Sequence, residues 1–156
     1  MSFFDYPNEP PSSGNVPILL ADASEEEWAT LLRHAHHRRF APGDAVVTAG
    51  ASDRSLYLVL EGDLEVLARG RWRSSRIALV SAGSVIGELS FFDGGGRSAL
   101  VRAMTPALLA ELSPSDFDAL AAANPDLARR LLFDLGRILA QRLRATQQAA
   151  QMLGAS

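Results

Sequence analysis

Val85-Ile86-Gly87-Glu88-Leu89-Ser90-Phe91-Phe92-Asp93-Gly94-Gly95-Gly96-Arg97-Ser98-Ala99 is the stretch in which a run of strand-like alternation breaks off and then resumes. Gly87 permits a tight turn, and Glu88–Phe92 suits a single helical turn whose free N–H groups face whatever precedes it. Exposed amides at a helix start suit an anion. Arg97, just before the next strand-like run, brings a forked pair of charged donors to the same place. Glu88 does not fit a bare phosphate, since a carboxylate repels it. It does fit a ligand that also offers a hydroxyl, as a ribose 2′-OH would. The segment therefore reads as a site for a sugar phosphate.

Outward on both sides, from Arg38 to Glu111, short apolar runs repeat: Val46-Val47, Leu56–Leu60, Leu64–Leu67, Ile77–Val80, Ala99–Val101 and Leu108–Leu112. Turn residues punctuate them at Pro42-Gly43-Asp44, Gly50, Glu61-Gly62-Asp63, Gly70 and Ala82-Gly83. Many short strands at regular spacing predict an antiparallel β-roll or jelly roll, mainly β with flanking helices.

Helices bracket the roll. Ser24-Glu25-Glu26-Glu27 forms a capping box, which predicts a first helix from about Glu25 to His36. Ser113-Pro114 is a start signal for a short helix over about Ser115–Ala123. Asn124-Pro125 then opens a long one, to about Met152, with Leu131, Leu132, Leu135, Ile138, Leu139 and Leu143 at three- and four-residue spacings. The stripe Leu132, Leu135, Leu139 and Leu143 suits either a parallel two-helix seam in a homodimer or packing on the roll itself. Residues 1–17, rich in Pro, Ser, Gly and Asn, read as disordered or as an arm docking Phe3, Phe4 and Tyr6, within a flexible leader over 1–22. The expected organisation is a leader over 1–22, the β-roll with two helices over 23–124, and the long helix over 125–156.

The segment 85–99 closely resembles the phosphate-binding cassette of cyclic nucleotide-binding domains, especially those of the catabolite activator/FNR superfamily. Arg38-Arg39-Phe40-Ala41-Pro42-Gly43-Asp44, Leu56–Gly62 and Val101-Arg102-Ala103 are similar to that family too, so the likeness runs from about Ala23 to Gln148. It implies that Glu88 accepts from the ribose 2′-OH and that Arg97 binds the cyclic phosphate. Gly87, Ser98 and the backbone of Leu89, Ser90 and Ala99 would shape the rest of the cradle. By the same resemblance, Thr146 and Gln147 face the base edge and Arg142 lies near the ribose or phosphate; otherwise these three are solvated helix residues. The implied ligand is cAMP, with cGMP also compatible with Ser98. Gly96 stands where the family often has Pro, which adds flexibility to the loop and an ordering cost to binding.

Composition narrows the remaining classes. The 156 residues, 47% of them hydrophobic, suffice for one buried core. Net charge is −3 and all fifteen basic residues are scattered Arg, which argues against electrostatic nucleic-acid binding and fits a GC-rich bacterial genome. A helix-turn-helix after the long helix would need some 50 residues or more, so direct DNA recognition is not expected. Without cysteine there are no disulfides, thiolate metal sites or cysteine nucleophiles. Cousins in the superfamily that sense haem or iron–sulfur clusters rely on such ligands. His34-Ala35-His36 offers a His-x-His pair, but it is expected at the end of the first helix, outside the roll, with no further ligands. Ser90 and Ser98 lack a histidine to activate them, so no enzyme is expected. No apolar run spans a membrane or makes a signal peptide, which points to the cytoplasm. Two readings remain: a cyclic nucleotide sensor signalling through dimer or protein partner, and a nucleotide-independent interaction module with a degenerate pocket.

Overall fold

The computed structural model describes residues 19–69 and 74–154; the leader over 1–18 with Phe3, Phe4 and Tyr6, the turn at Gly70 and the last two residues lie outside the described residues. The order is α1 (Glu25–Arg33), β1 (His36–Phe40), β2 (Ala45–Val47), β3 (Leu56–Glu61), β4 (Asp63–Arg69), β5 (Ser74–Ser81), β6 (Val85–Ile86), α2 (Glu88–Asp93), β7 (Leu100–Ala103), β8 (Ala107–Leu112), α3 (Pro114–Ala123) and α4 (Pro125–Gly154). The strands form two four-stranded antiparallel sheets, ordered β1-β8-β3-β6 and β2-β7-β4-β5. This is the expected β-roll.

Strand β3 shows how the layers are built. Its successive side chains point to opposite faces, and both faces are buried, so Leu56–Leu60 reads as a continuous apolar run. Tyr57 and Val59 join Leu64, Val66, Val80 and Val101 between the sheets. Leu56 and Leu58 join Leu31, Leu120, Leu127, Leu131, Leu135 and Ile138 between the first sheet and the helices. The first sheet is thus the middle layer, with the helices on one face and the second sheet on the other.

Local signals set the helix ends. Ser24 and Glu27 form the capping box of α1, and Ser113 and Asp116 form one at α3 with Pro114 in its first turn. Helix α1 ends at Arg33, earlier than expected: His34 caps it, and the next residues pair with β8 through His36↔Glu111 and His37↔Ala110. His36 therefore belongs to the roll with His37, a correction to the reading that placed His36 at the end of the helix. His36 Nε2 lies 3.4 Å from Asp116 Oδ1.

A second correction concerns the leader. Leu19 and Leu20 are 2% and 1% exposed. Leu19 N–H donates to Gly83 O at 3.1 Å and Leu20 N–H donates to Asp134 Oδ2 at 2.7 Å. Residues 19–22 are part of the folded unit, strapping the turn before β6 to α4. Arg130 of α4 pairs with Glu27 of α1 beside this strap.

The apolar stripe of α4 divides. Leu127, Ala128, Leu131, Leu135 and Ile138 are buried against the protein's own roll, and Arg142 continues that face. Leu135 therefore serves the core rather than a seam. Leu132 is exposed, Leu139 and Leu143 are half-buried, and Phe133 is 72% exposed. Among the described residues no helix is long and apolar enough to cross a membrane, and no group of three His, Cys, Asp or Glu could hold a metal ion.

Candidate functional site

The turn from β6 into α2 requires Gly87. Its φ is +83°, and a Cβ there would lie 2.6 Å from Arg97 Nη1 and 2.8 Å from Ser55 O, so both conformation and space demand glycine. Helix α2 closes at Gly94, whose φ is +72° and whose N–H donates to Ser90 O at 2.9 Å. Phe91 anchors the turn by packing edge-on against Phe117 of α3, with ring centroids 5.9 Å apart. The loop beyond is fixed by Asp93, whose Oδ1 accepts from Gly95 N–H at 2.7 Å.

Around this turn lies an open cleft lined by Gly87, Glu88, Leu89, Ser90, Arg97, Ser98 and Ala99 together with Val47 and Val101. The seven cassette residues singled out in the sequence thus surround one space. Two of them carry opposite charges and are nearly inaccessible, Glu88 at 2% and Arg97 at 5% exposed. Isolated, each would be costly to bury; each is paired instead.

Arg142 reaches Glu88 from α4. Its Nη1 donates to Glu88 Oε1 at 2.7 Å, and its Nη2 donates to Val85 O at 2.9 Å and Ser84 Oγ at 3.2 Å. Arg142 is thus on the cassette without lining the cleft. Thr146 lies one turn on, its hydroxyl donating to Arg142 O at 3.1 Å. Gln147 is exposed. Neither Thr146 nor Gln147 lines the cleft.

Arg97 is held from the loop between β2 and β3. Its Nε and Nη2 donate to Asp53 Oδ1 and Oδ2 at 3.3 and 2.7 Å, its Nη2 also to Ser55 O at 2.6 Å, and its Nη1 to Gly87 O at 3.0 Å. The hydrogen-bonded Arg97 guanidinium holds the Asp53 carboxyl below its usual range. The backbones interlock as well, Gly50 N–H donating to Arg97 O at 2.8 Å and Arg97 N–H to Ala51 O at 2.9 Å. Arg54, next in the same loop, donates to Ser90 O and Phe91 O at 3.2 and 3.1 Å and so caps the far end of α2.

Asp53, Arg54 and Ser84 are site residues that sequence reasoning missed. The available signal was an Asp-Arg pair inside the otherwise small and polar run Gly50–Ser55. Its target, 44 positions away, is fixed by tertiary structure alone.

The chain is similar to known proteins in sequence and in fold. The family model of the cyclic nucleotide-binding domain matches residues 37–124, more than half of the chain. The cAMP-activated global transcriptional regulator CRP of Salmonella typhimurium is 33% identical over 115 residues, which are 72% of this chain and 54% of that protein. The chain spans about half the length of the curated relatives it matches. Among solved structures, the catabolite activator protein of Thermus thermophilus superposes with a TM-score of 0.78 at 27% identity, over 89% of this chain and 63% of that one. A cyclic nucleotide-binding domain from Methylobacillus flagellatus superposes with a TM-score of 0.76 at 30% identity, over 88% and 77%.

Proposed function

The chain belongs to the cyclic nucleotide-binding domain family, and from that premise we propose that it is a cytoplasmic regulator, without catalytic activity, that binds cAMP in the Glu88–Arg97 cleft. The observation that carries this reading is the burial of one carboxylate and one guanidinium beside a single cleft at the start of α2. A phosphate alone would want the second without the first. A cyclic nucleotide uses both: Glu88 accepts from the ribose 2′-OH, and Arg97 takes the cyclic phosphate with Ser98 and the amides of Leu89, Ser90 and Ala99. A carboxylate has about four acceptor sites, so the ribose hydroxyl can share Glu88 with Arg142. The preference for cAMP over cGMP rests on relatives named as cAMP-activated regulators.

Signalling follows from the same contact. Because Arg142 stands on Glu88, a ligand there changes what holds α4, and its differential affinity for two helix positions does the switching. The flank of Leu132, Leu139 and Leu143 is the surface through which α4 would meet a second copy, and a protein partner would read the resulting change. A rival reading draws on the internal pairing of both charged groups, which leaves the roll satisfied as a nucleotide-independent interaction module.

Thermal unfolding with saturating cAMP, cGMP or 5′-AMP separates the two. Ligand at ~100 times its dissociation constant stabilises by about 2.7 kcal/mol, a shift of several degrees. The expected pattern is a shift with cAMP, smaller with cGMP, and absent in Arg97→Ala measured against its own baseline. No shift with any cyclic nucleotide overturns the proposal and leaves the interaction module.

A further inference from the structure

A guanidinium carries five N–H donors in a rigid fork, and four of those on Arg97 are already committed. The Nε hydrogen and one Nη2 hydrogen grip the two oxygens of Asp53 side by side, the other Nη2 hydrogen goes to Ser55 O, and one Nη1 hydrogen goes to Gly87 O. One Nη1 hydrogen remains, and no parallel pair does. The Arg97 side chain is 2% exposed. An incoming phosphate can thus take a single bond while these contacts stand, and a forked grip only if one of them is released.

The acceptors differ in their freedom to leave. Ser55 O is backbone at the entry to β3, and Gly87 O is backbone at the turn that the cleft depends on. Asp53 is a side chain on the loop between β2 and β3, 47% exposed, with water available to take over its bonds. Its carboxylate presents to Arg97 the same pair of charged oxygens that a phosphate would.

We propose that Asp53 is a built-in competitor for the anion site: its carboxylate occupies the Arg97 fork in the empty protein and must be displaced for the phosphate of the ligand to be gripped by two bonds. The inference rests on the cyclic nucleotide reading and adds to it a residue that sets affinity. Its consequence is a sensor tuned to a higher ligand concentration than the cleft alone would need. Release of Asp53 also removes one tie on the β2–β3 loop, which through Arg54 holds the end of α2, so occupancy of the anion site bears on both ends of that helix.

Calorimetric titration of cAMP into the wild type, Asp53→Asn, Asp53→Ala and Asp63→Asn tests the inference. Asp63 is the control, an exposed carboxylate at the start of β4 that accepts from Ser81 Oγ and does not line the cleft. The expected result is binding tightened on the order of ten-fold in both Asp53 variants, with Asp63→Asn within about two-fold of wild type. Binding that weakens in the Asp53 variants would show that the residue steadies Arg97 for the ligand, and unchanged binding that it does neither; both overturn the inference and leave the cyclic nucleotide reading standing. Equal tightening in the Asp53 and Asp63 variants would reduce the effect to general charge and overturn it as well. Failure of all four proteins to bind cAMP or cGMP removes the cyclic nucleotide reading itself, and the inference with it.

Discussion

The two halves of α4 are held by different physics. From Pro125 to Ile138 the helix buries Leu127, Ala128, Leu131, Leu135 and Ile138 at 3% exposure or less, in the core shared with the first sheet. Beyond Ile138, among the described residues, only Arg142 is buried, and Met152 and Leu153 are about four-fifths exposed. Apolar burial is non-directional and indifferent to a ligand elsewhere. An ion pair on Glu88 is directional and shares its partner with the proposed ligand. The first half can therefore serve as a fixed base while the second answers to what occupies the cleft.

The comparison breaks most visibly at Leu135. Replacement by Ala removes a fully buried side chain from the core cluster, and large-to-small changes of this kind cost about 2–5 kcal/mol. Urea or guanidinium unfolding should show a loss in that range with an unchanged denaturant slope. A loss below about 1 kcal/mol would mean that the first half is no better anchored than the second.

Arg142→Met attacks the other half. Removing one member of a buried pair usually costs about 3–5 kcal/mol because the remaining charge is stranded. Here a cheaper escape exists: residues beyond Ile138 can lift and let water reach Glu88. The global unfolding midpoint should thus fall less than in Leu135→Ala, while amide hydrogen exchange over 139–154 speeds up on the order of ten-fold and over 125–138 does not change. Faster exchange along the whole helix would show that both halves open together.

The same division explains what the sequence could and could not reveal. Ser24 with Glu27, Ser113 with Pro114, and Gly87 ahead of Glu88 were legible because caps and turns are local. So was the cassette, a contiguous run that puts a carboxylate and an arginine on one cleft. The end of α1 was not legible: Ala35 and His36 have no decisive preference, and β1 exists because β8 is there to pair with it. The inward face of α4 was legible as apolar, yet its direction depended on a sheet distant in the chain, and Leu135 looked equally suited to a seam. Leu19 and Leu20 look like part of a loose leader until Gly83 and Asp134 supply partners for their amides. Asp53 belongs to the same class, since nothing near it in sequence announces Arg97.

The smallest effect is the most discriminating about where the two halves divide. Gly136 sits inside α4, close to the last core contacts, and glycine within a helix is destabilising by roughly 0.5–1 kcal/mol relative to alanine. A Cβ at Gly136 would meet nothing within 4 Å, so no steric demand accounts for glycine there. Gly136→Ala should therefore stabilise the protein by about 0.5–1 kcal/mol, read as a rise in the thermal midpoint. Its effect on the proposed cAMP response then tests where the proposed joint lies. If the ligand bends α4 at Gly136, stiffening that position should weaken the ligand-dependent change in exchange over 139–154. Leu135 and Ile138 flank the glycine and are both fully buried, which favours a joint beyond Ile138, where burial stops. The expected outcome is a more stable protein with an unaltered response, and a blunted response would move the joint back to Gly136.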